Sequence, residues 1–98
     1  MTYVIVWRFR PDAGSIDAFV RAYDADGDWA RFFATGSGHV GTELVDLGDG
    51  SFLTIDRWRT REDHARFLSA NAKAYEALDQ RFAHLCAHEE RLGEGETR

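Results

Sequence analysis

Gly48-Asp49-Gly50-Ser51 separates two runs of strand character, residues 39–47 (HVGTELVDL) and 52–59 (FLTIDRWR). Asp-Gly and Gly supply the positive-φ positions that a tight turn requires, so the two runs predict an antiparallel hairpin. The chain has 98 residues, one domain's worth against a mode of roughly 100–150. Whatever else forms must therefore be built around this hairpin, in a single unit over 1–98.

The N-terminal run YVIVWRFR reads as another strand, halted at Pro11, which has no N–H to donate to a ladder. Tyr3, Ile5, Trp7 and Phe9 share one face and Val4 and Val6 the other, so the first half is apolar on both sides. Ile16, Phe19, Val20 and Tyr23 follow helical spacing after a PDAGS turn, with Ser15 as the expected N-cap. Gly27 ends that helix, and Asp28 is placed to cap a short second one carrying Trp29, Phe32 and Phe33. Thr60-Arg61-Glu62-Asp63 has the form of a capping box opening a helix through Phe67 and Leu68, with a kink expected near Asn71. Tyr75, Leu78, Phe82 and Leu85 continue the apolar stripe to about 84–87. The last segment, 89–98, reads either as fraying helix and coil or as a polar edge strand over 89–94.

The order β-α-α-β-β-α, with an optional last β, predicts an α+β ferredoxin-like sandwich, an antiparallel sheet with helices on one face. Strands 3–9 and 52–58 are apolar on both faces, so the uncovered face calls for a second copy of the chain, a homodimer.

Composition narrows the chemistry. Net charge is −5, which argues against phosphate-backbone binding and hence against nucleic acid as a partner. No window approaches the ~18 apolar residues of a membrane span, and MTYVIVWRFR is too short and charged for a secretory signal. A lone cysteine, Cys86, fits a reducing, cytoplasmic setting. Aromatic residues reach 13%. A domain this small buries only ~60–70% of its unfolded surface, so some of that area is expected against a partner or in a ligand cavity, if it does not simply fill a thin core.

Several motifs fail on spacing. Asp24-Ala25-Asp26-Gly27-Asp28 lacks the glycine and glutamate positions of a calcium loop. His84 and His88 are four apart, as ligands on one helix face would be, but no third ligand accompanies them, so no metal is expected. Gly36-Ser37-Gly38 is too short for a phosphate loop, Cys86 lacks an activating helix N-terminus, His39 reads as structural, and no nucleophile elbow occurs.

FLTIDRWRTREDHARFL joins a strand ending in Trp58 to a capped helix, after GHVGTELV and a YVIVWRF first strand. From about 3 to 92 the chain resembles the antibiotic biosynthesis monooxygenase domains, dimeric α/β barrels on a ferredoxin-like fold. Quinone-forming, cofactor-independent members of that superfamily carry an Asn four residues before the strand-end Trp and a Tyr six after it. Trp58 matches, whereas Thr54 and His64 occupy the other two positions. Thr still hydrogen-bonds a phenol oxygen, and His titrates near neutral pH. The resemblance thus implies a monooxygenase acting on a small aromatic or polyketide-like substrate with O₂ and no cofactor. In it Thr54 and Trp58 position the ring, His64 is the base, and Trp7, Tyr75 and Phe67 are candidate substrate-binding residues. The haem-degrading branch would need an Asn, a Trp and a His where Trp7, Phe67 and Ala77 stand, so that activity is not expected. Each aromatic has an alternative role as core packing, and His64 as an exposed helix residue. A non-catalytic dimeric ligand-binding or accessory protein of the same fold explains the same aromatics, and explains the missing Asn and Tyr better.

Overall fold

The structure, a computed structural model, describes all 98 residues. In chain order the elements are β1 (Tyr3–Pro11), α1 (Ile16–Tyr23), α2 (Asp28–Phe33), β2 (His39–Asp46), β3 (Phe52–Trp58), α3 (Arg61–Ala70), α4 (Ala72–Phe82) and β4 (Cys86–Glu96), with 3₁₀ turns at Ala13–Ser15 and Ala83–Leu85. The four strands form one antiparallel sheet in the order β2-β3-β1-β4. The helices pack on one face of it, the ferredoxin-like α+β sandwich expected from the element order.

The hairpin forms on the predicted turn, with Gly48 and Gly50 at φ 82° and 88°. Asp46 and Asp49 side chains accept the backbone N–H groups of Gly48 and Ser51 and tie the turn down. Strand parity decides the core. Tyr3, Ile5 and Phe9 of β1 and Phe52, Thr54, Asp56 and Trp58 of β3 are all buried beneath the helices. Trp58 ends fully enclosed among Phe33, His39, His64 and Phe67.

Local signals held where side chain met backbone. Thr60 Oγ1 accepts the Asp63 N–H at 3.0 Å, one half of the capping box. The other half is absent, because the Asp63 carboxylate is held by Arg59 and Arg66. Ser15 sits at the N-terminus of α1 without a side-chain cap bond, since a 3₁₀ turn leads directly into the helix. Gly27, not Asp28, is the N-cap of α2, and Asp28 pairs with Arg31. At Asn71 the helical stripe is broken outright, and α3 and α4 are separate helices.

The C-terminal segment takes the edge-strand alternative, but the strand is longer than the expected 89–94. The helix stops at Phe82, and Cys86–Glu96 is an eleven-residue edge strand antiparallel to β1. Tyr3 explains part of its hold: its hydroxyl donates to Glu94 Oε2 at 2.6 Å. His84 and His88 consequently lie in a 3₁₀ turn and a strand, not on one helix face.

On the far side of the sheet, Val4, Val6, Val45, Leu53 and Ile55 remain half-exposed, with the Arg57–Glu43 ion pair beside them. No helix is long and apolar enough to cross a membrane.

Candidate functional site

The sheet register places polar side chains in the middle of an apolar floor. Thr54 of β3 lies opposite Trp7 of β1 and Leu44 of β2, and Asp56 lies opposite Ile5 and Thr42. Because side chains on one face recur every second residue, Thr54 and Asp56 point the same way as Phe52 and Trp58, toward the helices.

Above them is a cavity. Its floor is Trp7, Thr42, Thr54 and Asp56, its walls Tyr23, Trp29, Phe33 and Tyr75, and Asp79 and Glu89 are exposed at its rim. The centres of water-sized spheres can occupy about 60 Å³ of it. One water needs roughly 10–15 Å³ by this measure, so the space takes several waters or one ring.

Asp56 is the chemical centre of this cavity. Thr42 Oγ1 donates to Asp56 Oδ1 at 2.8 Å, within the sheet's buried face. Burial nevertheless raises the carboxyl to about 6, the Thr42 hydrogen bond pulling the other way. Desolvation penalises the charged form, so the group is poised to exchange a proton near neutral pH. Tyr75 is raised as well, first by burial and then by Asp79, Asp56 and Glu89. It stays a neutral donor throughout the physiological range. The indole N–H of Trp29, another wall residue, is buried without a hydrogen bond of good geometry, its interaction with the Tyr23 hydroxyl being a weak one. It is a donor that a ligand oxygen could satisfy.

Of the residues singled out from sequence, Trp7, Thr54 and Tyr75 meet in this cavity. Trp58, Phe67 and His64 do not line it. Trp58 and Phe67 pack together beside it, ring centroids 5.2 Å apart, as core of the α3–sheet contact. His64, half-buried in α3, lies edge-on to Trp58 at 5.2 Å and tilted against Tyr3 at 5.7 Å between ring centroids. Burial and the Arg91 charge lower its pKa, Glu94 opposing them. It therefore faces the Arg91–Glu94 end of the sheet, where the enclosed Trp58 lies against it.

Asp56 was the residue missed. The signal was in FLTIDRW, where parity puts an aspartate on the same face as two large aromatics. A charged residue on a buried face is the informative exception in any strand. Thr42 and Trp29 carried no comparable mark. No group of three or more His, Cys, Asp or Glu side chains is arranged to hold a metal ion, and Cys86 is half-buried with its thiol pushed up to about 12, chiefly by burial.

Comparison with solved structures gives the fold its relatives. SnoaB, a cofactor-independent oxygenase from Streptomyces nogalater, superposes with a TM-score of 0.72 at 22% identity, over 99% of this chain and 93% of that one. A candidate antibiotic biosynthesis monooxygenase from Nitrosomonas europaea gives 0.68 at 15% identity, over 93% and 86%. A NIPSNAP family protein from Agrobacterium tumefaciens gives 0.69 at 15% identity, over 100% and 94%. No family model and no curated protein matches the sequence. At these identities the likeness is one of fold, which hosts more than one kind of protein.

Proposed function

We propose that this protein is a cofactor-independent monooxygenase of the cytoplasm, working as a homodimer, with Asp56 as its base. One observation carries the reading: a buried carboxyl, its pKa raised to about 6, forms the floor of an aromatic-walled cavity with room for one ring. The fold shared with SnoaB, a cofactor-independent oxygenase, supports the reaction class.

The substrate is a phenolic or enolisable aromatic whose reacting edge enters between Trp7, Trp29 and Tyr75. Asp56 removes the acidic proton. The resulting carbanion, electron-rich by itself, transfers an electron to O₂, and the two radicals combine to a peroxide. The peroxide anion takes up a proton from solvent at the cavity's rim, and loss of water then leaves a quinone carbonyl: one O₂ is consumed, one oxygen atom enters the ring and the other leaves as water, while the proton on Asp56 is left to return to solvent. Tyr75, Thr54 and the Trp29 N–H are donors for the ring oxygen as charge gathers there. Apolar walls around Asp56 keep competing water few.

The outer sheet face, with Val4, Val6, Leu53 and Ile55, is where a second copy packs. A dimer leaves the cavity untouched, because the cavity lies on the helix side.

The test is oxygen uptake with a panel of anthrone-type phenols in air, without added cofactor. Uptake that Asp56→Asn lowers by about 10²–10⁴-fold supports the proposal. Saturable binding of the same phenols with no uptake above buffer would replace it with the ligand-binding reading, which the absence of Asn and Tyr at Thr54 and His64 favours.

A further inference from the structure

We propose that Thr42 and His39 form a proton relay joining the buried Asp56 carboxyl to solvent. The inference rests on the reading of Asp56 as a base. A base enclosed under aromatic side chains must return its proton to water between turnovers, and the cavity will then be filled by product.

The geometry is specific. His39 Nε2 and Thr42 Oγ1 are 3.0 Å apart, and Thr42 Oγ1 and Asp56 Oδ1 are 2.8 Å apart. With its own proton donated to Asp56, the Thr42 oxygen accepts from His39 Nε2–H. Thr42 and Asp56 are buried, whereas His39 is half-buried at the start of β2. The chain of three therefore runs from the cavity to the surface.

A bulge makes this chain. Residues three apart in a regular strand face opposite sides, so His39 and Thr42 should not meet. The β2–β3 register shifts between His39 and Gly41: His39 lies opposite Trp58 and Thr42 opposite Asp56, two β3 residues on one face. The extra residue, Val40, is turned out and exposed. Bulges re-aim side chains in this way, and here the result is a second polar residue delivered to the core face.

The transfer balances. The Asp56 O–H breaks as its proton passes to the Thr42 oxygen, and Thr42 gives its own proton to His39 Nε2, the imidazole carrying its ring proton on Nδ1 for this step. The imidazolium releases the Nδ1 proton to water, which leaves Asp56 as carboxylate and His39 in the Nε2–H form that donates to Thr42; exchange with water returns the ring proton to Nδ1 before the next transfer. Burial lowers His39, a hydrogen bond to the Gly41 backbone partly opposing it, so the imidazolium gives its proton up readily. Other titratable groups flank the chain without entering it. Tyr75 and Asp79 from α4, Glu89 from β4 and Tyr23 from α1 face the Asp56 cavity. Around His39 lie Phe33 of α2 and Trp58 of β3, with His64 of α3 beyond the Trp58 ring.

Two measurements test the relay. Carboxyl ¹³C and imidazole NMR titrations on the full chain should show the His39 inflection in the Asp56 curve of the wild type and of Thr42→Ser, and lose it in Thr42→Val. In oxygen uptake with anthrone, Thr42→Val and His39→Gln should slow turnover by about tenfold or more in dilute buffer. Added imidazole should restore His39→Gln, and Thr42→Ser should match the wild type. If Thr42→Val and His39→Gln turn over like the wild type while Asp56→Asn is inactive, the relay is overturned and the base stands. If Asp56→Asn is fully active, the base is overturned. A wild-type Asp56 titration without the His39 inflection overturns the relay even where no phenol is oxidised.

Discussion

Asp56 Oδ1 takes its one protein hydrogen bond from Thr42 Oγ1 at 2.8 Å, on the neighbouring strand, yet burial still holds its carboxyl at about 6 against an ordinary 3.8. A single neutral donor does not replace the water lost on folding. The site thus favours the protonated acid, which sets how stability varies with pH.

Between pH 3.8 and about 6 the unfolded chain has released the Asp56 proton and the folded chain still holds it. The favourable contribution of the acid form is complete below pH 3.8 and lost as pH rises through 6. The difference amounts to about 3 kcal/mol at roughly 1.4 kcal/mol per pH unit. Urea denaturation at pH 4 and pH 7.5 should show a loss of that order in the wild type. Asp56→Asn should flatten the curve in this window and be the more stable protein at pH 7.5. An unchanged pH dependence would mean that Asp56 is not desolvated.

His64→Ala and Asp56→Asn separate two assignments of the base. His64 touches Trp58 and Tyr3 and stands outside the cavity, whereas Asp56 forms its floor. Turnover should fall by about 10²–10⁴-fold in Asp56→Asn. The fall in His64→Ala should be far smaller and accompanied by lost stability from the unfilled space beside Trp58. Equal losses of turnover in both would return His64 to the mechanism.

How far the sequence could be read depended on whether a feature was local. The Gly48–Ser51 hairpin, the Thr60 cap and the alternation of Phe52, Thr54 and Trp58 each follow from a few neighbouring residues, and the structure contains all three. Cys86–Glu96 was ambiguous because eight of its eleven residues are charged, histidine or glycine. Its pairing is dictated by β1, including the Tyr3–Glu94 bond ninety-one positions apart. The His39–Thr42 contact was illegible for a related reason. Spacing puts these residues on opposite faces, and only the register against β3 reveals the bulge. In the site, Trp7, Thr54 and Tyr75 were legible as residues, but the cavity joining them needed the helix packing.

Gly38 offers a stability test independent of function. A Cβ built there would lie 2.4 Å from the Asp63 Cβ, and the Gly38 carbonyl accepts the Arg59 N–H at 2.8 Å. Asp63 cannot retreat easily, since its N–H bonds Thr60 and its carboxylate bonds Arg59 and Arg66. Gly38→Ala should cost about 1–3 kcal/mol, the range for forced overpacking, measured as a lower urea midpoint. Gly41→Ala, with open space around its Cβ position, is the matched control and should cost less.

The outer sheet face yields the last prediction. Val6 and Ile55 are paired across β1 and β3, half-exposed at the middle of an apolar strip that no helix covers. A monomer would leave this strip in water, where each side chain forgoes part of the roughly 1.5–3 kcal/mol available on full burial. A second sheet packed against the first recovers it. Sedimentation of the wild type should therefore give twice the 11.1 kDa chain mass. Ile55→Lys places a charge at the centre of that contact, where burying it unpaired costs several kcal/mol, and should sediment as the single chain. Its cavity is on the opposite face, so folding and phenol binding should survive in the separated chains. A wild type that sediments at 11.1 kDa at high concentration would remove the dimer from the proposal and leave Asp56 in place.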